Sequence, residues 1–161
     1  MPNTAKNIFW RAYQNLLPTK DNLLKRKVVD EPYCPICKEE PETVLHALWG
    51  FPSATDVWGC SKVIYQKCGN IGDDFWLLAE FIFSRCGEED TIRFIHLARQ
   101  IWTRRNKWVH KGLFISLNTL LQETERYMSD YEAANEKEIH AGYVNNNNPE
   151  MKWTAPPRGM V

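Results

Sequence analysis

The sequence has no apolar run near the roughly eighteen residues that a membrane-spanning helix requires. Its first thirty residues carry six Lys or Arg side chains and no uninterrupted apolar stretch, which argues against a secretory signal. We therefore expect a protein without membrane contact that is not secreted and resides in the nucleus or the cytoplasm.

Neither sign of charge is in excess, because 20 Lys and Arg residues balance 20 Asp and Glu residues. An attraction of the whole molecule to nucleic acid is therefore excluded, and only local basic patches can supply one.

Catalytic motifs are also missing, since the sequence contains no P-loop, no dinucleotide-binding fingerprint and no Ser-His-Asp order. Asp73 and Asp74 resemble the metal-binding pair of a polymerase palm. A helical pattern follows them, however, and acids are favourable at a helix N-terminus. We expect no enzymatic activity and no small-molecule substrate.

The composition is that of a globular chain, with 161 residues of which 43% are hydrophobic and 25% charged. Seven Trp residues require large packing sites or exposed stacking surfaces. The five Cys residues are an odd number in a chain without an apparent export signal, which favours reduced thiols or metal ligands over disulfides.

Apolar residues recur at helical spacing along most of the chain, which predicts a mainly α fold. The predicted helices cover 8–17, 19–28, 43–49, 53–64, 75–83, 91–110 and 116–135, with a turn at 87–90. We predict a zinc-binding domain over 4–68, a helical spacer over 73–136 and a disordered linker over 137–161, where four Asn residues precede several Pro residues.

The strongest constellation is Cys34-x2-Cys37-x8-His46, in a loop inserted between helices. Two thiolates on one tight turn and an imidazole on the following helix are three of the four donors that structural zinc takes. Phe51, where a fourth ligand is expected, cannot coordinate zinc. The fourth ligand can instead come from Cys60, Cys68, a water molecule or a ligand from outside the chain. The other interpretation is two ordinary thiols and a surface or capping histidine.

Several stretches in residues 5–58 occur in an order and spacing typical of one protein family. These are Ile8-Phe9-Trp10-Arg11-Ala12, Asn15-Leu16-Leu17-Pro18-Thr19, Asn22-Leu23, Cys34-Pro35-Ile36-Cys37, Pro41-Glu42-Thr43-Val44-Leu45-His46 and Pro52-Ser53-Ala54-Thr55-Asp56-Val57-Trp58. They resemble the zinc-binding region of plant non-LTR (LINE-type) retrotransposon reverse transcriptases. The resemblance implies zinc at Cys34, Cys37 and His46. It also implies a degenerate copy, because that family carries a fourth Cys where Phe51 stands.

Two later stretches extend the resemblance. Ile101-Trp102-Thr103-Arg104-Arg105-Asn106-Lys107 is similar to the helical spacer that such polyproteins carry before a ribonuclease H-like domain, and Trp153-Thr154-Ala155-Pro156-Pro157-Arg158-Gly159 resembles the start of that domain. The resemblance implies a truncated or degenerate, non-catalytic segment of a retroelement polyprotein.

Residues 91–122 contain basic side chains and no acidic one, with Trp102 and Trp108 interleaved. Such a helix can follow a phosphate backbone and stack on bases, which predicts contact with RNA or DNA. The predicted contact residues are Lys25, Arg26, Lys27, Arg99, Arg104, Arg105, Lys107 and Trp108. The alternative is that the two last helices pair antiparallel and neutralise one another. The chain is then a structural connector or a protein-interaction module that binds neither metal nor nucleic acid.

Overall fold

A computed structural model describes residues 3–68 and 72–142. Within these ranges it contains α-helices and one π-helical turn, and no strand. The elements are α1 (Asn3–Tyr13), α2 (Lys20–Lys25), the π-helical turn (His46–Gly50), α3 (Pro52–Gly59), α4 (Val63–Gln66), α5 (Phe75–Arg85), α6 (Glu88–Lys111) and α7 (Leu117–Gly142). The predicted mainly α fold is confirmed. Helix α7 continues to Gly142, and the rest of the predicted linker, 143–161, lies outside the described residues.

Among the helices of the two described ranges, none combines the length and the apolar character needed to cross a membrane.

Helix α1 ends earlier than the apolar pattern predicts, at Tyr13. Asn15 adopts a left-handed conformation with φ 56°, and the amide of Leu16 donates to the carbonyl of Arg11 at 2.7 Å. This is the Schellman arrangement, which satisfies the last carbonyls of a helix. The predicted N-cap of α2 is confirmed, since the Thr19 hydroxyl accepts from the amide of Asn22 at 3.4 Å.

The predicted turn at 87–90 is wrong, because α6 already begins at Glu88. Glu88, Glu89 and Asp90 form its first turn, where their negative charges favour the positive end of the helix dipole. The helix ends where predicted, at Gly112, which takes a left-handed φ of 63°.

One aromatic cluster joins most of the helices. Phe94 of α6 is fully buried at its centre. The rings within 6.5 Å of it belong to Phe9, Trp49, Trp58, Tyr65, Phe75 and Phe83. These residues come from both sides of the predicted boundary at 68–73, so that boundary does not divide the hydrophobic core.

Helices α6 and α7 pack antiparallel. The start of α6 contacts the later part of α7, through Glu88 and Tyr131, and Gln100 further along α6 contacts Glu123 near the start of α7. Between these two contacts Arg93 pairs with Glu125 and His96 stacks on Tyr127. The charge pairing proposed for these helices is therefore present at Arg93 and Glu125. His96 is buried in this interface and stacks on Tyr127, with ring centroids 4.0 Å apart.

His96 is expected to make the stability of this interface depend on pH. Burial, with smaller contributions from the positive charges of Arg99 and Arg93, lowers the pKa of His96 from 6.5 to about 4. Between these two values the unfolded chain binds a proton that the folded chain does not, so stability is lost as the pH falls. Lowering the pH from 7 to 5 is expected to reduce the free energy of unfolding by about 2 kcal/mol through His96. Urea titrations at both pH values measure this.

His96→Phe keeps an aromatic ring on Tyr127 and is expected to remove that part of the pH dependence. His110→Phe is the matched control, since His110 lies on the same helix but is exposed. Any loss of stability in acid that arises elsewhere in the chain, for example at the two cysteines and His46, is common to the native chain and both variants. Equal pH dependence in the native chain and His96→Phe contradicts the prediction.

Candidate metal centre

The loop that carries the two cysteines is closed on itself by backbone contacts. Tyr33 and Pro41 form an isolated antiparallel bridge, and the amide of Cys34 donates to the carbonyl of Glu40 at 2.8 Å. Between them the amide of Lys38 donates to the carbonyl of Cys34 at 2.9 Å, with Lys38 in a left-handed conformation. This narrow turn brings the Cys34 and Cys37 side chains together.

His46 reaches the loop from the first residue of the π-helical turn. The side chain of Thr43 accepts from the amide of His46 at 3.0 Å, which confirms the predicted role of Thr43 as a cap. The amide of Phe51 donates to the carbonyl of His46 at 2.7 Å across the wide turn. Such π-helical turns occur frequently at functional sites.

The three predicted ligands converge. A donor atom from each of Cys34, Cys37 and His46 lies within 4.8 Å of the others, and Cys37 Sγ is 3.5 Å from His46 Nε2. A tetrahedral zinc with Zn–S about 2.3 Å and Zn–N about 2.0 Å requires an S···N separation of about 3.5 Å. Cys34 and His46 are buried and Cys37 is half-buried. These three donor atoms can therefore occupy three of the four tetrahedral positions around a zinc ion.

Glu40 holds the other nitrogen of the same imidazole. Its Oε2 lies 3.1 Å from His46 Nδ1. An Nδ1–H that donates to this carboxylate leaves Nε2 with a free electron pair, directed at the thiols. Metal-binding histidines usually have such a carboxylate partner, which fixes the ring and raises its basicity. Glu40 was not predicted from the sequence, because no spacing rule identifies a residue that hydrogen-bonds the nitrogen of a histidine that does not face the metal site.

The position expected for a fourth ligand is apolar. Phe51 is 9% exposed and belongs to the hydrophobic core, with its ring centroid 6.1 Å from that of His46. Within residues 3–68 and 72–142, no further Cys, His, Asp or Glu joins the three donors. Cys60 is exposed on the surface, and burial raises the pKa of the Cys68 thiol, which disfavours the thiolate that a metal needs.

The residues predicted to contact nucleic acid fall into two groups. Lys25, Arg26, Lys27, Lys107 and Trp108 are exposed, although Lys25 forms an ion pair of 2.7 Å with Asp21. Arg99 is half-buried, and Arg104 and Arg105 are buried.

Arg105 is not available to a phosphate. Its Nε and Nη2 donate to the two carboxylate oxygens of Glu42 at 2.7 and 2.6 Å. Glu42 is 0% exposed and also accepts from the amide of Lys20 at 2.9 Å. The predicted contact of Arg105 with nucleic acid is therefore replaced by a structural role, in which it links the segment after the cysteine-bearing turn to α6. No pattern in the sequence indicates this partner.

Residues 1–58 match the sequence model of a family described as zinc-binding in reverse transcriptase. The matched range includes Cys34, Cys37 and His46, and also Phe51, which stands where a fourth ligand is expected. It supports the resemblance for the zinc-binding region, and the matched residues are those of that region and not of a polymerase or nuclease catalytic domain. No curated protein and no solved structure matches the chain.

Proposed function

We propose that this chain is a zinc-binding and nucleic-acid-binding segment of a retroelement-derived reverse transcriptase polyprotein, without catalysis of its own. The observation that carries the proposal is the convergence of Cys34, Cys37 and His46, with Glu40 on the far nitrogen of the imidazole. An origin in a plant LINE-type element, with residues 73–136 as the helical spacer toward a ribonuclease H-like domain, is part of the same proposal.

The role of zinc is to hold the loop in its folded conformation. The segment between α2 and the π-helical turn has few backbone hydrogen bonds of its own. In such loops the metal supplies folding free energy that the small core cannot. With three protein donors, the fourth position is taken by water or by a ligand from outside.

Nucleic-acid contact is proposed through two exposed basic segments. Lys107 and Lys111 are exposed and lie four residues apart on α6, where they flank Trp108 on the helix. Lys25, Arg26 and Lys27 lie at the exposed end of α2. Phosphate contacts by such residues depend on local charge, so they are compatible with a net charge of zero.

A zinc measurement tests the proposal. The chain purified under reducing conditions is expected to hold about one zinc ion, and Cys37→Ala to lose it, because two donors cannot hold structural zinc. Elemental analysis and competition with a chromophoric chelator give the stoichiometry and the affinity. Cys60→Ala is the matched control, since it removes a thiol that lies outside the cluster.

Two further variants sharpen the same measurement. Glu40→Gln is expected to keep the stoichiometry and weaken the affinity by roughly 10- to 100-fold, as removal of such outer partners does elsewhere. Glu39→Gln, one residue away and exposed, is its control. Phe51→Cys is expected to tighten binding by adding a thiolate. A native chain without zinc, or one whose zinc survives Cys37→Ala, refutes the metal part of the proposal.

A purely structural connector is the second candidate function. The inward orientation of Arg104 and Arg105 favours it, since both guanidinium groups bind elements of this chain. The two candidates differ in salt-dependent affinity for single-stranded RNA or DNA, which only the binding segment has.

A further inference from the structure

An apolar cavity of about 150 Å³ opens beside the turn that carries Cys34 and Cys37. Its wall is lined by Ile36 from the Cys-x2-Cys turn and by Phe51, by Trp108 near the end of α6, and by Phe114 in the loop that follows α6. Phe114 is 64% exposed and Trp108 42% exposed, and their rings stand perpendicular to each other at 6.3 Å. Two large aromatic rings are therefore open to solvent at one small cavity.

Arg104 brings an unused donor to the same cavity. It is 7% exposed, its guanidinium carbon lies 4.4 Å above the Phe114 ring, and Nη1 donates to the carbonyl of Ser53 at 3.3 Å. Its buried Nε–H has no hydrogen-bond partner in the described part of the chain. A buried donor without an acceptor is costly, which favours a ligand that offers one.

The size and charge of this place restrict the ligand. Apolar cavities of about 150 Å³ admit a benzene-sized ring. Lys107 and Lys111 stand next to Trp108 on α6, and residues 91–122 contain no acid. The carboxylate that acts on Arg104 from a distance is that of Asp56, which offsets part of the lowering of its pKa by burial.

We infer that this cavity binds one unpaired base of a single-stranded nucleic acid. The base stacks on the Phe114 ring and meets the perpendicular Trp108 ring with its edge, and a carbonyl oxygen or ring nitrogen of the base accepts from Arg104 Nε–H. Lys107 and Lys111 contact the adjoining phosphates. An apolar side chain of a protein partner fills the same volume but leaves the Arg104 donor unpaired and offers nothing to the lysines. This inference rests on the proposed function and adds its ligand class and contact residues.

The experiment compares two probes on the full zinc-loaded chain. One is a fluorescein-labelled oligouridylate of about 12 nucleotides, and the other has the same length and phosphate backbone but no bases. Fluorescence anisotropy at low salt is expected to give a roughly tenfold higher affinity for the probe with bases, since stacking of a base contributes about that much. Phe114→Ala is expected to bind both probes equally. Leu113→Ala, exposed in the same loop, retains the preference.

The outcomes separate the inference from the proposed function. Lys107→Gln with Lys111→Gln is expected to weaken both probes alike, because it removes phosphate contacts only. Equal affinity of the native chain for both probes overturns the base site and leaves salt-dependent binding, and so the proposed function, in place. No affinity for either probe overturns both. Self-association of the native chain that Phe114→Ala abolishes, without preference for bases, assigns the surface to a second copy and overturns the inference.

Discussion

Replacing Glu42 with Gln is expected to lower the free energy of unfolding by about 3–5 kcal/mol. Both oxygens of Glu42 accept from the Arg105 guanidinium inside the protein, where neither charge reaches water. The amide introduced by Glu42→Gln would turn a donor toward that guanidinium and leave a buried positive charge without its counterion. Removing one partner of a buried pair costs far more than removing both.

A double-mutant cycle measures the effect. Urea unfolding of Glu42→Gln, Arg105→Met and the double variant is followed by circular dichroism. The double variant is expected to be more stable than the sum of the single losses implies, because it contains no unpaired buried charge. Glu89→Gln is the matched control, as Glu89 pairs with Lys62 on the surface, and it is expected to cost under about 1 kcal/mol. A loss of that small size for Glu42→Gln contradicts the prediction.

Arg105 was predicted to contact nucleic acid because its buried partner, Glu42, is far away in the sequence. A run of basic residues without acids is usually an exposed face, and Glu42 lies 63 residues earlier in the chain. Nothing in local spacing identifies a partner at that distance. The exposed Lys107 and the buried Arg105 differ only in their position around α6, and the loop that covers one side of this helix is fixed by tertiary packing.

Features determined by neighbours in the chain were predicted well. Thr19 and Thr43 cap the turns that follow them because a hydroxyl reaches an amide three residues ahead. The convergence of Cys34 and Cys37 follows from their two-residue spacing in a segment whose prolines, Pro35 and Pro41, favour a turn. The end of α1 and the start of α6 were misplaced by a few residues, since apolar periodicity does not register the left-handed Asn15 or the acids of the first turn.

The parts of the site that depend on side-chain orientation were not predictable in this way. Glu40 matters because the His46 ring presents Nδ1 to it, and that orientation is set by the π-helical turn. A single inserted residue in a helix leaves no periodic signal. The cavity beside Arg104 was equally unpredictable, because its wall combines the turn between Cys34 and Cys37 with the end of α6 and the loop after it.

Replacing Phe94 with Ala is expected to lower the free energy of unfolding by about 3–5 kcal/mol. Phe94 is 0% exposed and its ring is surrounded by the rings of Phe9, Trp58 and other aromatic residues from five elements. The cavity left by its side chain cannot close, because these neighbours are held by separate helices. Leu113→Ala, which removes an exposed apolar side chain, is the control and is expected to cost under about 0.5 kcal/mol.

The same variant tests whether residues 4–68 fold apart from the helices that follow. Phe94 belongs to α6, beyond the matched zinc-binding region, yet it contacts Phe9 and Trp58 within that region. If the shared core makes one cooperative unit, zinc release and loss of helix in urea coincide in the native chain and shift together in Phe94→Ala. Zinc retention at urea concentrations that have already melted the helices contradicts this. The zinc-binding region is then a separate unit, and the core around Phe94 stabilises only the spacer.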